Sequence, residues 1–203
     1  MKQNQKVLNM SILAMLLALV IALQIFAGFI KIGPFAPSLV LIPIVIAAIL
    51  IGPKGGGILG GAFGIVVIIQ CLTGVDAGGF ILWGINPFFT SLICLVKGIA
   101  AGVVSGYIYK LVAADAQSGT RQVVASVLAA ISAPIVNTGL FLLGLSTLFT
   151  DTLYAWSGDT NVFIYIFTVL IGINFLIEFA INAIVSPAIS TAVRAAAKQI
   201  IKK

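Results

Sequence analysis

Histidine is absent from this 203-residue chain, aspartate and glutamate together occur five times, and only 8% of positions carry a charge. Each shortage removes a class of function. Without imidazole there is no histidine metal site and no histidine base, and Asp76, Asp115, Asp151, Asp159 and Glu178 are too scattered to form paired catalytic carboxylates. No nucleophile stands beside a base, so the chain is not expected to be an enzyme. Cysteine is nearly missing as well. Cys71 and Cys94 fall in apolar stretches without a CxxC spacing and read as small buried hydrophobes, not as ligands or a disulfide. No metal and no cofactor is expected. The glycine-rich stretch 55–61 lacks the Lys-Ser/Thr ending of a phosphate loop and lies inside an apolar segment, so any ATP hydrolysis must come from another chain.

What the chain has in abundance is hydrocarbon. Hydrophobic residues make up 61% of it and its mean hydropathy is +1.24, whereas soluble domains carry charge at roughly a quarter of their positions. A spanning helix takes about 20 apolar residues to cross a core of roughly 30 Å, so this length holds about six. Apolar runs, punctuated by Gly, Pro and charge, place them at about 9–30, 37–51, 55–73, 88–113, 122–147 and 162–192, in a single transmembrane domain over 1–203. The first run is longer than a signal-peptide core of about 7–15 residues and stays as a span. Segment 33–37 reads as a turn, and 74–87 and 148–161 as loops, with Trp83 an interfacial anchor. The second span carries Pro43 and is expected to be short, kinked or only partly spanning. Glycines 57, 60, 61 and 64 on the third span let a neighbouring helix approach closely, which is how helices associate where lipid removes the hydrophobic driving force.

Lysine and arginine set the orientation. With both termini inside, Lys2, Lys6, Lys54, Lys110, Arg121, Arg194, Lys198, Lys202 and Lys203 are on the inner face, nine of the eleven; Lys31 lies outside and Lys97 within the membrane. That assignment needs an even number of spans and agrees with six. The formal charge of +6 therefore reports topology, not nucleic-acid binding. The expected class is an all-α integral membrane protein, a six-helix bundle with cytoplasmic N- and C-termini.

An ionisable side chain in the hydrocarbon zone costs at least about 2.5–3.5 kcal/mol, so those present pose the functional question. Lys97 lies roughly 14 Å deep at 1.5 Å per residue and needs an anionic partner, either Glu178 or a ligand. Glu178 is flanked by Asn174 and Asn182 at spacings of four, which puts all three on one helix face, and lipid would leave that face without partners. Asn137, followed by Thr138, lies in the outer half of the fifth span. Lys97, Asn137 and Asn174 are therefore expected to converge on a cavity open to the outside, with Glu178 deeper, although a structural ion pair and interhelix amide bonds would use the same residues. Gln70, near the outer end of the third span, reads as facing headgroups. Ala14, Ala18 and Ala22, with Ser11 near the start of the same face, form a smooth small-residue stripe for close helix contact, internal or intermolecular.

Nearly the whole chain resembles the substrate-binding, or S, components of bacterial energy-coupling factor (ECF) transporters. The likeness runs from Ala14-x-x-x-Ala18 through the stretch from Ile42 to Gly56 and on to Leu95-Val96-Lys97-Gly98-Ile99-Ala100-Ala101-Gly102. Ala133-Pro134-Ile135-Val136-Asn137-Thr138-Gly139-Leu140 and Asn174-x-x-x-Glu178 look most like the pantothenate branch. The resemblance implies a six-helix bundle in the bacterial plasma membrane that binds a water-soluble vitamin from the outside. It also implies that the alanine motif docks on a transmembrane coupling subunit, which two ATPases drive. By the same resemblance Lys97, Asn137, Asn174 and Glu178 bind the substrate, and Ala14, Ala18 and Ala22 bind the partner. The chain departs from the family pattern in having Phe-Leu-Ile after Asn174 and lysine at 97 where arginine is common, which leaves riboflavin or another vitamin as an alternative to pantothenate. An alternative from another class is an autonomous transporter that couples import to protons through Glu178, although no two-fold internal repeat is evident.

Overall fold

The computed structural model describes the backbone of residues 2–27, 39–114 and 119–201; the side chains of 2–5, 173–174, 190 and 192–201 are outside the description. The expected turn at 33–37, Lys31, the connection at 115–118 and the side chains of the basic tail therefore lie outside the described residues. All regular structure among the described residues is helical. Four helices are long and apolar enough to cross a membrane: α1 (Lys2–Ala27), α3 (Pro53–Thr73), α5 (Pro87–Ala113) and α6 (Gly119–Leu148). Between α1 and α3 lies the shorter α2 (Leu41–Leu50), and between α3 and α5 lies α4 (Ala77–Ile85). After α6 come α7 (Thr150–Ser157), α8 (Val162–Tyr165), the π-helical segment Ile166–Ile171 and α9 (Gly172–Ile201). The last three make a fifth candidate span, bent by 46°.

The bend falls where a single uninterrupted helix is expected over 162–192. Gly172 adopts φ +37°, a left-handed conformation that glycine tolerates without a Cβ clash, and it separates the π-helical turns from α9. A π-helical turn widens the helix locally and re-aims the residues that follow. Leu170 and Ile171 end this segment, and Phe175 and Glu178 follow it one and two turns on.

α2 is ten residues long, about 15 Å, or half the hydrocarbon core. Leu41 and every residue from Pro43 to Ile49 are buried, so it stands inside the bundle as an internal post. Pro43 is its third residue, where the missing N–H has no intrahelical acceptor to lose, and the expected kink has no cause.

Glycine fixes the contact between α3 and α5. Gly56, Gly60 and Gly64 recur every fourth residue on α3; Gly98, Gly102 and Gly106 do the same on α5. A Cβ on Gly60 would land on the Gly98 carbonyl, and one on Gly56 on the Gly102 carbonyl. The reverse substitutions at Gly98 and Gly102 would strike Gly60 and Gly56. Backbone thus lies on backbone, and only a pair of glycine stripes permits it. Of the glycines expected to make the close face, 60 and 64 do so; Gly57 instead faces the Val103 side chain and Gly61 the Ile99 side chain.

The stretches expected to be loops at 74–87 and 148–161 contain helices. Gly74 ends α3 in the left-handed region at φ +76°, and the Asp76 carboxylate caps α4 by accepting from the Gly79 amide at 2.9 Å. The Asn86 side chain then accepts from the Phe89 amide at 3.1 Å and caps α5, whose first residue is Pro87. Asp76 and Asn86 are therefore helix starts and not free loop polars. Gly79 brings α4 so close to α3 that a Cβ there would strike the Cys71 sulfur. α7 has no side-chain cap; it is held by Leu153, buried with Leu82, Ile93, Leu145 and Phe149 in an apolar cluster. A separate, larger core joins Val20, Ile44, Leu59, Phe63, Ala101, Ala129 and Ala133.

Candidate substrate-binding site

A cavity opens between α3, α5, α6 and the bent α8–α9 unit, with α4 along one side and the end of α1 reaching it. Its volume is about 100 Å³ as measured by the centres of water-sized spheres. A space of that size takes several waters or a small metabolite. The lining is mixed. Phe63, Val67, Leu82, Ile93, Phe141 and Phe175 supply apolar walls, and Gln24, Gln70, Asp76, Thr90, Lys97, Asn137, Thr138 and Glu178 supply the polar groups. Apolar walls with a few convergent polar groups are the usual make-up of a small-molecule site.

Lys97 projects from the middle of α5 with its ammonium 5.8 Å from the Phe63 ring centre and 5.1 Å from that of Phe141. Such contacts are worth from roughly 0.5–1 kcal/mol at exposed sites to about 2 kcal/mol when desolvated. They offset a share of the cost of about 2.5 kcal/mol or more that a membrane-embedded ammonium carries. Lys97 thus stands against two aromatic side chains, in a cavity that Asp76 and Glu178 also line.

Asn137 is 5% exposed, and its Oδ1 is buried without a hydrogen-bond partner among the described residues. A buried orphan acceptor costs about 1–3 kcal/mol, so its position against the cavity matters. Glu178 is 6% exposed and also lines the space. One turn further along α9, Asn182 is fully buried and donates from Nδ2 to the Glu178 carbonyl at 2.8 Å, and the Ser186 hydroxyl lies 3.4 Å from Asn182 Oδ1. The structure thus brings Lys97, Asn137 and Glu178 to one cavity, while the Asn174 side chain lies outside the described residues.

Four polar residues not expected in the site also line the cavity. Gln70 does not face headgroups: it is 8% exposed, lines the cavity and pairs with Gln24 of α1 through two hydrogen bonds. Gln24 offered no motif of its own. Its one signal is a polar side chain three residues before the end of an apolar helix, on the face that carries Val20 and Ala27 inward. Asp76 and Thr90 also reach the lining. Ala14, Ala18 and Ala22 lie on the other side of α1 and are exposed.

Comparison with known proteins agrees with this architecture. The family described as "ECF transporter, substrate-specific component" matches residues 8–190. The pantothenic acid transporter PanT of Lactococcus lactis subsp. cremoris (strain MG1363) is 25% identical over 198 residues, covering 92% of this chain and 94% of that protein. A match over most of the sequence, on a helical chain with four or five apolar spans, decides the family. The chain belongs to the substrate-specific components of ECF transporters and is a multi-pass membrane transport protein, not an enzyme.

Proposed function

We propose that this protein captures pantothenate from outside the bacterial plasma membrane and delivers it inward only when joined to an ECF module of one transmembrane coupling subunit and two ATPases. In this reading the chain crosses the membrane six times, α2 with its flanking residues being the shortest passage, and both termini are cytoplasmic. The observation that carries the substrate class is the convergence of Lys97, Asn137 and Glu178 on one cavity, with the ammonium near two rings and the Asn137 acceptor without a partner among the described residues. Pantothenate carries one carboxylate, which suits Lys97, and an amide and two hydroxyls, which suit the amide side chains. The relative that bears the name of a pantothenic acid transporter supports the choice of vitamin.

A binding titration on the purified protein tests the substrate. Saturable binding of pantothenate at micromolar concentration is expected; binding of riboflavin or another vitamin in its place overturns the choice. Lys97→Ala should weaken pantothenate by more than about 1.5 kcal/mol, the low end for losing a charge-assisted hydrogen bond. Unchanged affinity in a folded variant returns Lys97 to a structural role. Uptake by the chain alone in liposomes under a pH gradient would refute the need for partners.

A further inference from the structure

Gln24 and Gln70 join helices that are 46 residues apart in sequence, and their hydrogen bonds fix which way each amide faces. Gln70 Nε2 donates to the backbone carbonyl of Gln24 at 2.9 Å; a carbonyl only accepts, so the Gln70 nitrogen must be on that side. The Gln70 oxygen is then turned toward Gln24, where Nε2 donates to it at 2.6 Å. The Gln24 amide is thereby oriented too, and its Oε1 is left over. That oxygen is buried and has no partner among the described residues, on a side chain that is 6% exposed and lines the cavity. The chain of donors and acceptors begins on a backbone group, so flipping either amide would set two donors or two acceptors face to face.

Two residues that line the cavity, Gln24 and Asn137, thus each carry a buried acceptor without a partner among the described residues, and Lys97 lines the same space. We propose that the Gln24–Gln70 pair is a second recognition subsite, in which Gln24 Oε1 accepts a hydrogen bond from a hydroxyl of the substrate, separate from the anionic group that meets Lys97. Gln70 is a positioning residue: it touches Gln24 and fixes which way its amide faces. A substrate with a carboxylate and no donor leaves that acceptor unsatisfied and is rejected, because a site built to hydrogen-bond a hydroxyl discriminates strongly against the analogue that lacks it. The proposal rests on the reading of this cavity as the vitamin site.

The experiment titrates the purified full chain with pantothenate and with its two deoxy analogues, each lacking one hydroxyl. Riboflavin and deoxy analogues of its ribityl chain are the substitutes if pantothenate does not bind. In the native protein at least one deoxy analogue should bind tenfold or more weakly than its parent. In Gln24→Met, of similar shape and without the acceptor, the parent should weaken while that discrimination falls to about twofold or less. Equal discrimination in both proteins makes the glutamine pair a clasp between α1 and α3 and overturns the subsite. Should Gln24→Met not fold, the native protein still decides: analogues that all bind within twofold of their parents leave no hydroxyl for Gln24 to hold, and the subsite is refuted. Absence of saturable binding by either vitamin to the native protein would overturn the functional reading and the subsite with it.

Discussion

α1 and α3 are both long, apolar helices marked by a small residue at every fourth position, yet they occupy opposite situations. In the spanning stretch of α3, 50% of residues are buried, against 17% in that of α1. The stripe of α3 is glycine and lies on the backbone of α5. That of α1 is alanine and is exposed along its length, while Val20, Gln24 and Ala27 hold the helix to the bundle from its other side. A small-residue stripe thus announces a close neighbour without saying whose chain supplies it. Where the residue is glycine and a facing glycine stripe exists, the neighbour is internal; an alanine stripe turned outward suits the docking role that the family resemblance assigns to Ala14, Ala18 and Ala22.

The sharpest way to break this contrast is to fill the glycine contact. Gly60→Leu places a branched side chain on the Gly98 backbone, where nothing can yield as a flexible side chain would. A loss of roughly 3 kcal/mol, the upper end for overpacking, is expected in a denaturation series in detergent, together with aggregation during purification. A stable variant would mean that α3 and α5 are not pressed together. Next in size, Gly139→Ala on α6 adds a Cβ that meets nothing within 4 Å. It should raise stability by about 0.5–1 kcal/mol, because glycine in a helix interior loses that much to alanine. Destabilisation there would reveal a neighbour that the fold does not contain. The smallest stability change belongs to Ala18→Leu on the exposed stripe of α1. The isolated chain should melt within about 0.5 kcal/mol of the native protein, while co-purification with the coupling subunit and uptake by the assembled transporter are lost. Retained uptake would move the docking surface elsewhere.

Individual positions show how far local pattern reaches. The long helices are legible because a run of about 20 apolar residues has little choice in a bilayer, and the starts of α3 and α5 follow Gly52-Pro53 and Asn86-Pro87 within two residues. Lys97, Asn137 and Glu178 are legible as a group because lipid offers them no partner. α4 and α7 escape notice because helices of nine and eight residues end before an apolar period can establish itself. Asp76 and Asn86 look like loop residues until their side-chain oxygens are seen on helix amides, although an Asx just before an apolar run is itself a cap signal. The break at Gly172 is hidden because the apolar sequence around it reads as continuous.

The sequence alone determined that this chain is helical and lives in lipid, and that its few buried polar groups must turn inward, since composition sets the solvent and the solvent penalises every unpaired polar atom. Tertiary structure decided the rest: that Gly56 lies on the α5 backbone while Gly57 meets a side chain there, that Gln24 clasps Gln70, and that both glutamines share a cavity with Lys97. Those outcomes depend on how each helix is rotated about its axis against partners dozens of residues away. Rotation is chosen by the fit of whole surfaces, which no local spacing encodes.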